Sequence, residues 1–274
     1  MSEQLSHRGI ELLRLCDKAA KSVTSAIDEM VGTASSGQMV RMGADGTPTK
    51  RIDRAAEDAI LETLSASGLG FRVLSEEIGE VTVGNKSEPD YYLHLDPLDG
   101  TFNAISGIPF YSVSIYLSNG DFHFGYICSL ADKSSFYAEC GRGAYASSGE
   151  RLTVSTNADL KNFSISAYTL RPHTGRIAGA GDVVRRIRTL GSTSLEMALV
   201  AAGRLDAFVD LRGMMRVVDI AAGKIIMEEA GGMVTDERGN RLQLDGHMWQ
   251  KRDLIGSNGL RHAELLHLIG GGGN

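Results

Sequence analysis

The feature that most constrains the fold is a strand-like run that ends in two aspartates and a glycine turn. Residues 92–95 read Tyr-Leu-His-Leu, and Asp96, Asp99 and Gly100 follow. Pro97 cannot donate a hydrogen bond to a neighbouring strand, so the sequence predicts that the strand stops there. Gly100 permits a tight turn, after which the sequence predicts a helix. The motif therefore predicts a strand end, a turn and a helix start at one point.

The same motif combines the ligands of a hard cation with a cradle for phosphate. Asp96, Asp99 and the Leu98 carbonyl supply only oxygen ligands, which suit a divalent cation such as Mg²⁺. The amides of Gly100 and Thr101 at a helix start suit a phosphate group. This combination predicts metal-assisted hydrolysis of a phosphate ester. The competing interpretation is a plain turn in which an aspartate caps a helix.

Three further acidic groups lie at predicted strand or helix ends. Glu76 and Glu77 follow a short strand predicted over residues 71–74. Adjacent side chains point in different directions, so one can face a metal while the other faces solvent or a basic partner; a solvated acidic loop is the alternative. Asp219 begins a predicted helix and can cap it, bind a metal, or do both. Asp53 also begins a predicted helix, either as its cap or as a base that orients a metal-bound water.

Three motifs together resemble the inositol monophosphatase family of lithium-sensitive, magnesium-dependent sugar phosphatases. They are Leu74-Ser75-Glu76-Glu77, Asp96-Pro97-Leu98-Asp99-Gly100-Thr101-Phe102-Asn103, and Val218-Asp219-Ile220-Ala221-Ala222-Gly223 with Glu229-Ala230-Gly231-Gly232. The resemblance runs from about Asp53 to Asp236. Residues 188–219 look most like archaeal-type members that act on both inositol 1-phosphate and fructose 1,6-bisphosphate. The resemblance implies an α/β fold, a layered αβαβα sandwich, with the site between residues 1–156 and residues 157–274.

The resemblance also implies which residues hold the metal ions. One Mg²⁺ would be bound by Glu76, Asp96 and the Leu98 carbonyl. A second would be bound by Asp96, Asp99 and Asp219, and a third, weaker ion by Glu76 and water. The implied cofactor is therefore two or three Mg²⁺ ions, bound by side chains that lie far apart in the sequence.

The implied catalytic residues are Asp53, Thr101 and Glu76. Asp53 and Thr101 would orient a metal-activated water for in-line attack on phosphorus. This chemistry needs no covalent phosphoenzyme, and the sequence offers no evident cysteine or histidine nucleophile. Magnesium lowers the pKa of bound water and neutralises the phosphoryl oxygens, so the implied roles agree with the chemistry of the residues.

Substrate choice is implied to lie in the second half of the chain. Residues 191–193 match the family's sugar-contact turn, and Asp210 stands where many members place an acidic residue that binds a hydroxyl group. Arg188, Arg204, Arg212 and Arg216 lie around these elements and together could hold a second phosphate, although a solvated surface charge is the alternative for each. The candidate substrate contacts are Asp99, Gly100, Thr101, Arg188, Gly191, Ser192, Thr193, Asp210, Arg212 and Asp219.

One departure from the family pattern bears on specificity. Val218 stands where inositol-selective relatives usually carry tryptophan before the metal-binding aspartate, which favours activity on both fructose 1,6-bisphosphate and inositol 1-phosphate. Two alternatives remain open. One is a phosphatase of the same superfamily that acts on 3′-phosphoadenosine 5′-phosphate. The other is a partner-binding protein that keeps the fold and the metal but has no significant turnover.

Charge and composition argue against several other functions. The net charge of −6 argues against a nucleic-acid surface. No apolar run approaches the ~18 residues of a membrane span. Three cysteines without metal-ligand spacing, and no recognisable signal peptide, favour a reducing cytosol. We expect a cytoplasmic homodimer that acts on a small sugar or inositol phosphate, with no nucleic-acid or membrane partner.

Apolar periodicity gives a coarse map of the remaining elements. Residues 12–30 carry the stripe of an amphipathic helix, and residues 38–48 predict a mobile loop or hairpin that can act as a flap over the site. Alternation at residues 113–117 predicts a half-buried strand, and a further strand is predicted at residues 188–190. The glycines at residues 271–273 are expected to fray.

Overall fold

The computed structural model describes residues 4–44, 46–244 and 250–270. The strands are β1 (Met39–Met42), β2 (Pro48–Lys50), β3 (Phe71–Ser75), β4 (Gly79–Val83), β5 (Tyr91–Asp99), β6 (Ser112–Asn119), β7 (Phe122–Ser129), β8 (Ser135–Glu139), β9 (Gly143–Ala146), β10 (Ser164–Tyr168), β11 (Arg186–Arg188), β12 (Ala207–Met215), β13 (Met233–Thr235) and β14 (Arg252–Ser257). The α-helices are α1 (His7–Ile27), α2 (Arg51–Ser65), α3 (Thr101–Ser106), α4 (Ala178–Gly181), α5 (Thr193–Ala201), α6 (Val217–Glu229) and α7 (His262–Gly270).

Sheets and helices stack in alternating layers. The 7-stranded sheet has the order β4-β3-β5-β6-β7-β8-β9, and the 5-stranded sheet has the order β11-β10-β12-β14-β13. Helices α1 and α2 cover one face of the larger sheet, and α5 and α6 fill the space between the two sheets. Helices α4 and α7 cover the outer face of the smaller sheet. This arrangement confirms the predicted αβαβα sandwich.

The boundary expected between residues 156 and 157 separates the two sheets along the chain. The larger sheet ends with β9, and the smaller sheet begins with β10. One apolar core nevertheless joins α5 and α6 to both sheets, for example through Tyr116 on β6, Phe208 on β12 and Ile226 on α6. Whether the two halves behave as separate domains stays a prediction.

Helix α1 follows from its apolar spacing. The side chain of Ser6 accepts a hydrogen bond from the Gly9 amide at 3.0 Å and caps the helix start. Leu12, Cys16 and Val23 lie on one buried stripe, as their spacing predicts. The stripe packs into the core beside α2, so it serves the fold of the chain itself.

Strand β6 corrects the prediction of a half-buried strand. All residues from Ser112 to Leu117 are buried, including the polar Ser112 and Ser114. The reason is the layering, because α1 and α2 cover one face of the sheet while α5 and α6 cover the other. Alternation in a single strand cannot reveal a second covering layer.

The prediction that β5 stops at Pro97 was wrong. The strand continues to Asp99, because Asp96 pairs with Ser114 and Asp99 pairs with Ser112. Three residue steps on β5 therefore face two on β6, which defines a bulge. On its other side β5 pairs with β3 only as far as Leu95. Pro97 thus lies where no ladder hydrogen bond from its nitrogen is needed.

The other local predictions are mostly confirmed. β1 and β2 form an antiparallel hairpin at the predicted flap, within which residue 45 lies outside the described residues. The strand expected at residues 188–190 lies slightly earlier, as the edge strand β11. The glycines at residues 271–273 lie outside the described residues. None of the helices in the described ranges has the length and apolar character needed to cross a membrane.

A buried histidine predicts how stability depends on pH. His262 is 4% exposed, and its ring nitrogens lie 2.8 Å from the hydroxyls of Thr235 and Ser257. Burial lowers the pKa of His262 from 6.5 to about 4. Below pH 6.5 the unfolded chain therefore binds a proton that the folded chain does not. As the pH is lowered from 6.5 towards 4, we therefore expect the free energy of unfolding to fall by up to about 1.4 kcal/mol per pH unit.

Urea denaturation at pH 7, 6 and 5 measures this dependence. His262→Gln should show a shallower loss of stability with acidification than the wild type. His7→Gln is the matched control, because the His7 side chain is 90% exposed. Identical pH dependence in the wild type and in His262→Gln would contradict the prediction.

Candidate active site

Three acidic side chains converge at the edge of the larger sheet. Glu76 follows β3, Asp96 lies on β5, and Asp219 lies in the first turn of α6. One carboxylate oxygen from each lies within 4.8 Å of the other two. β3 and β5 are parallel neighbours, so the residues that leave their carboxyl ends meet at the same edge. The sequence motifs therefore do form one cluster.

Mutual repulsion and burial raise the pKa values of carboxyl groups in the cluster. Burial, and then the neighbouring Glu76, Asp99 and Asp219, raise the pKa of Asp96 well above its usual range. Burial and the charge of Asp219 raise the pKa of Glu76 to about 8, although Arg216 opposes this shift. Several carboxylates held close together, which offer only oxygen donors, fit a hard divalent cation. The donor set therefore agrees with a magnesium site.

Asp99 connects the cluster to the second half of the chain. Its Oδ2 atom accepts hydrogen bonds from the Ser192 hydroxyl at 2.8 Å, the Ser194 amide at 2.7 Å and the Ser194 hydroxyl at 2.5 Å. Ser192 is the N-cap of α5 and is fully buried. A sugar contact was expected for Ser192, and the structure places its hydroxyl against a candidate metal ligand.

Asp53 lies beside the cluster and contacts Thr101. The Thr101 hydroxyl lies 2.8 Å from Asp53 Oδ1 and 3.1 Å from the Leu98 carbonyl oxygen. Asp53 was expected to begin its helix, but it is the third residue of α2, and its Oδ2 accepts from the Lys50 amide at 2.9 Å. Burial raises the pKa of Asp53 to about 6, although the bonds from Thr101 and Lys50 hold it down. The hydrogen bonds from Thr101 and Lys50 therefore hold the Asp53 carboxylate in a fixed position.

Asp219 and Glu77 also differ in detail from the sequence analysis. Asp219 is the third residue of α6, whose N-cap is Arg216, so it does not begin the helix. Glu77 was expected to face solvent or a basic partner, yet it is buried and accepts a hydrogen bond from the Thr49 hydroxyl. Thr49 lies on β2, so this contact ties the hairpin to the strand that leads to Glu76.

The turn at Gly100 and the turn at Gly191 are in backbone contact. Gly100, with a φ of 96°, is the N-cap of α3, and Gly191 has a φ of 103°. A side chain on Gly100 would begin 2.9 Å from the Gly191 carbonyl oxygen, and one on Gly191 would begin 2.4 Å from the Asn103 amide nitrogen. Asn103 in turn donates to the carbonyl of Leu190 at 2.7 Å. Both glycines are therefore required by a positive φ and by close approach.

The site opens into a cavity of about 270 Å³. The predicted site residues that line it are Glu76, Asp96, Leu98, Asp99, Gly100, Thr101, Gly191, Thr193, Arg212 and Asp219. Other residues that line the cavity were not predicted as site residues, namely Thr47, Tyr168, Met214, Met215, Arg216 and Lys251. Of these, Arg216 was predicted only as one of four arginines that together could hold a second phosphate. The sequence does contain a signal for Arg216. This residue precedes Asp219 by three positions at the start of a helix, and side chains at this spacing can pair.

Three predicted substrate residues lie away from the cavity wall, namely Arg188, the fully buried Ser192 and Asp210. Asp210 is fully buried and binds the Arg212 guanidinium, with 2.5 Å between Oδ2 and the terminal nitrogen. Arg188 is exposed on the edge strand β11, and its guanidinium donates to the Ile187 carbonyl at 3.3 Å. Direct contact of Asp210 or Arg188 with a substrate stays a prediction.

Sequence and structure comparisons identify the family of the chain. The profile of the Inositol monophosphatase family matches residues 11–270. The chain belongs to the inositol monophosphatase family. It is therefore a phosphoric monoester hydrolase of a family that is generally metal-dependent, and the acidic cluster lies where its motifs converge.

Individual members of the inositol monophosphatase family match over nearly the whole chain. A fructose-1,6-bisphosphatase/inositol-1-monophosphatase of Methanothermobacter thermautotrophicus is 39% identical over 264 residues, which cover 92% of this chain and 94% of that protein. A bifunctional NADP phosphatase/NAD kinase of Methanococcus maripaludis is 34% identical, over 95% of this chain and 50% of that protein. A solved structure from Pyrococcus horikoshii, described as similar to inositol-1 monophosphatase, has a TM-score of 0.82 at 31% identity and covers 97% of this chain and 99% of its own.

Proposed function

We propose that the protein is a Mg²⁺-dependent phosphomonoesterase that hydrolyses fructose 1,6-bisphosphate and inositol 1-phosphate. The observation that carries the proposal is the cluster of Glu76, Asp96 and Asp219, which lies in one cavity with the Gly100 and Thr101 turn. Curated relatives with both activities in their names support the choice of substrates.

The residues support a division of tasks in the reaction. Glu76, Asp96, Asp99, Asp219 and the Leu98 carbonyl would hold the metal ions. Bound Mg²⁺ would neutralise charge on the phosphoryl oxygens and increase the acidity of the attacking water.

The remaining groups of the turn and its neighbour act on water and phosphate. Thr101 lines the cavity and would orient the water there, and the water's proton would reach Asp53 through the Thr101 hydroxyl, which lies 2.8 Å from Asp53 Oδ1. The amides at Gly100 and Thr101 would hold the phosphate group while the bond to the sugar oxygen breaks.

Arg212 is the candidate for binding a second phosphate. Asp210 holds its guanidinium, which also lies 4.5 Å from the centre of the Tyr168 ring. Arg212 is thereby fixed while it still lines the cavity. A preorganised arginine suits phosphate because less side-chain freedom is lost on binding.

Arg212→Ala should therefore affect the two substrates unequally. Fructose 1,6-bisphosphate carries a distal phosphate that inositol 1-phosphate lacks. Loss of a charged hydrogen bond costs about 1.5–3 kcal/mol, so we expect kcat/KM for the bisphosphate to fall at least about tenfold. The loss for inositol 1-phosphate should be smaller. Arg204→Ala is the control, because Arg204 is exposed in the same half of the chain.

Two results would revise the role of Arg212. Equal losses for both substrates would mean that Arg212 serves the scissile phosphate or the fold. Unchanged kinetics for both substrates would mean that Arg212 contacts neither of them. Arg188→Ala, assayed in parallel, tests whether the exposed arginine on β11 contacts the bisphosphate at all.

A phosphatase for a phosphorylated nucleotide is the second candidate. Two relatives are named bifunctional NADP phosphatase/NAD kinase, and this chain spans about half the length of each. The sequence alternative, 3′-phosphoadenosine 5′-phosphate, belongs to the same chemical class. Tyr168 is an aromatic ring in the cavity, but Arg212 covers one face of it, so that face does not offer a stacking surface for adenine.

A phosphate-release assay distinguishes these candidates. The purified protein is incubated with fructose 1,6-bisphosphate, inositol 1-phosphate, 3′-phosphoadenosine 5′-phosphate and NADP, each with Mg²⁺ and with chelator. We expect release from the first two substrates, and only with Mg²⁺. Preference for either nucleotide would overturn the substrate assignment. No release from any of the four would favour the non-catalytic, partner-binding alternative.

A further inference from the structure

Arg216 makes direct contacts with two of the three clustered carboxylates. One terminal nitrogen of its guanidinium lies 2.8 Å from Glu76 Oε1 and 2.9 Å from Asp219 Oδ1. Its Nε lies 3.1 Å from Asp219 Oδ2. Arg216 is 8% exposed, so its pair with the buried Asp219 is shielded from water, whereas the Glu76 side chain is 24% exposed. The guanidinium therefore uses carboxylate oxygens that the candidate metal site needs.

The main chain and the side chain of Arg216 make separate contacts with the acidic cluster. Its main-chain amide donates to Asp219 Oδ2 at 2.8 Å, and this bond belongs to the cap of α6. The cap bond does not involve the guanidinium and survives any change of side chain other than proline. The side-chain contacts instead join the start of α6 to Glu76 at the end of β3. A variant without the guanidinium can thus keep the cap while it loses the ion pairs.

The guanidinium and a metal ion cannot both be bound well. Two cations that share the same carboxylate oxygens repel each other strongly in a buried site. Arg216 also lines the cavity of about 270 Å³, so its side chain has open space beside the cluster. A divalent cation that used these oxygens would therefore compete with the guanidinium, which has room to move into the cavity.

We propose that Arg216 is a built-in counter-ion that neutralises Glu76 and Asp219 in the metal-free protein and that the metal must displace. The proposal rests on the metal site of the proposed function. Without the guanidinium, buried carboxylates would repel one another, and breaking a buried ion pair is strongly destabilising. With it, the metal-free fold is stable, but metal affinity is lower because the ion pairs must first be broken. Arg216 would thus set the metal concentration at which the site fills.

The test compares metal binding and stability in chelator-treated protein. Arg216→Met removes the charge but keeps an apolar stem, which limits the loss of packing. Isothermal titration with Mg²⁺ should show binding at least about tenfold tighter than in the wild type, because a charged hydrogen bond no longer has to be broken. The melting temperature in chelator should fall by at least about 4 °C and should recover with saturating Mg²⁺. Neither measurement depends on catalytic turnover.

Lys251→Met is the matched control. Lys251 also lines the cavity, but its amine makes no ion pair with Glu76 or Asp219 among the contacts of the described residues. Its removal should change Mg²⁺ affinity far less than Arg216→Met. Equal tightening in both variants would show a general effect of positive charge and would overturn the role of direct displacement.

The remaining outcomes separate this inference from the proposed function. If the wild type binds no Mg²⁺, the metal site itself fails. If the wild type binds Mg²⁺ and Arg216→Met binds it no more tightly, only the displacement proposal fails. Arg216→Lys decides the case in which Arg216→Met does not fold, because lysine keeps a charge without the planar fork. Arg216→Lys should bind Mg²⁺ about threefold tighter than the wild type, and unchanged or weaker binding would overturn the proposal.

Discussion

Asp96→Asn is expected to abolish metal-dependent phosphate release while the protein stays folded. Asp96 is 6% exposed and is the most crowded of the clustered acids, since Glu76, Asp99 and Asp219 all raise its pKa. Its Oδ1 accepts a hydrogen bond from the Leu98 amide at 3.0 Å, and an asparagine oxygen can accept the same bond. The bulge at Pro97 should therefore survive. The loss is chemical, because a neutral amide binds Mg²⁺ more weakly than a carboxylate.

The expected size of the effect follows from the role of the metal. A metal ion contributes several kcal/mol of transition-state stabilisation, so kcat/KM should fall by at least about a thousandfold. The metal-free variant should be at least as stable as the metal-free wild type, because one buried negative charge is gone. Asp121→Asn, at an exposed turn, is the control. Full activity in Asp96→Asn would remove Asp96 from the metal site.

Asp53→Asn should lower kcat by about two or more orders of magnitude, the range associated with loss of a general base. The substituted side chain would be a neutral amide, which could not take a proton from water. Substrate affinity and Mg²⁺ affinity should change little, since Asp53 does not line the cavity. Asparagine also cannot accept from both Lys50 and Thr101 with one oxygen, so we expect about 1 kcal/mol of lost capping as well.

A pH profile separates a base from a structural cap. Burial raises the pKa of Asp53 to about 6, and bound cations would lower it. Wild-type kcat should therefore fall as the pH drops through about 6 or just below, where the carboxylate gains a proton. Asp53→Asn should lack this acidic limb, and Thr101→Ala, which removes the hydroxyl between Asp53 and the cavity, should lower the rate and weaken the limb. A variant that loses only affinity, with an unchanged limb, would make Asp53 a cap.

The local parts of the site were predictable from the sequence. Gly100, the helix after it and the short strand before Glu76 depend on neighbours in the chain, and the structure contains all three. The family motifs added the layered fold, which the two sheets and their helices confirm. The convergence of Glu76, Asp96 and Asp219 was implied by the family resemblance, and the parallel pairing of β3 and β5 explains it for Glu76 and Asp96.

The errors came from contacts between distant segments. Pairing with β6 carries β5 past Pro97 as a bulge, although the proline alone suggests a stop. Glu77 is buried because the hairpin supplies the Thr49 hydroxyl. Arg216 pairs with Glu76 across the interface between α6 and β3, and nothing local to either residue indicates that pairing. Sequence pattern predicts what one element does, whereas these contacts depend on how the layers meet.

The backbone contact between Gly100 and Gly191 limits how the enzyme can be redesigned. The turns that contain Gly100 and Gly191 are packed so closely against their neighbours that neither position can carry a side chain. Mutant libraries that seek new substrates should therefore leave these two positions fixed. Diversity is better placed at Arg212 and Met214, which line the same cavity from the end of β12. Gly100 and Gly191 should thus stay unchanged in such libraries, whereas the cavity lining at Arg212 and Met214 can be varied.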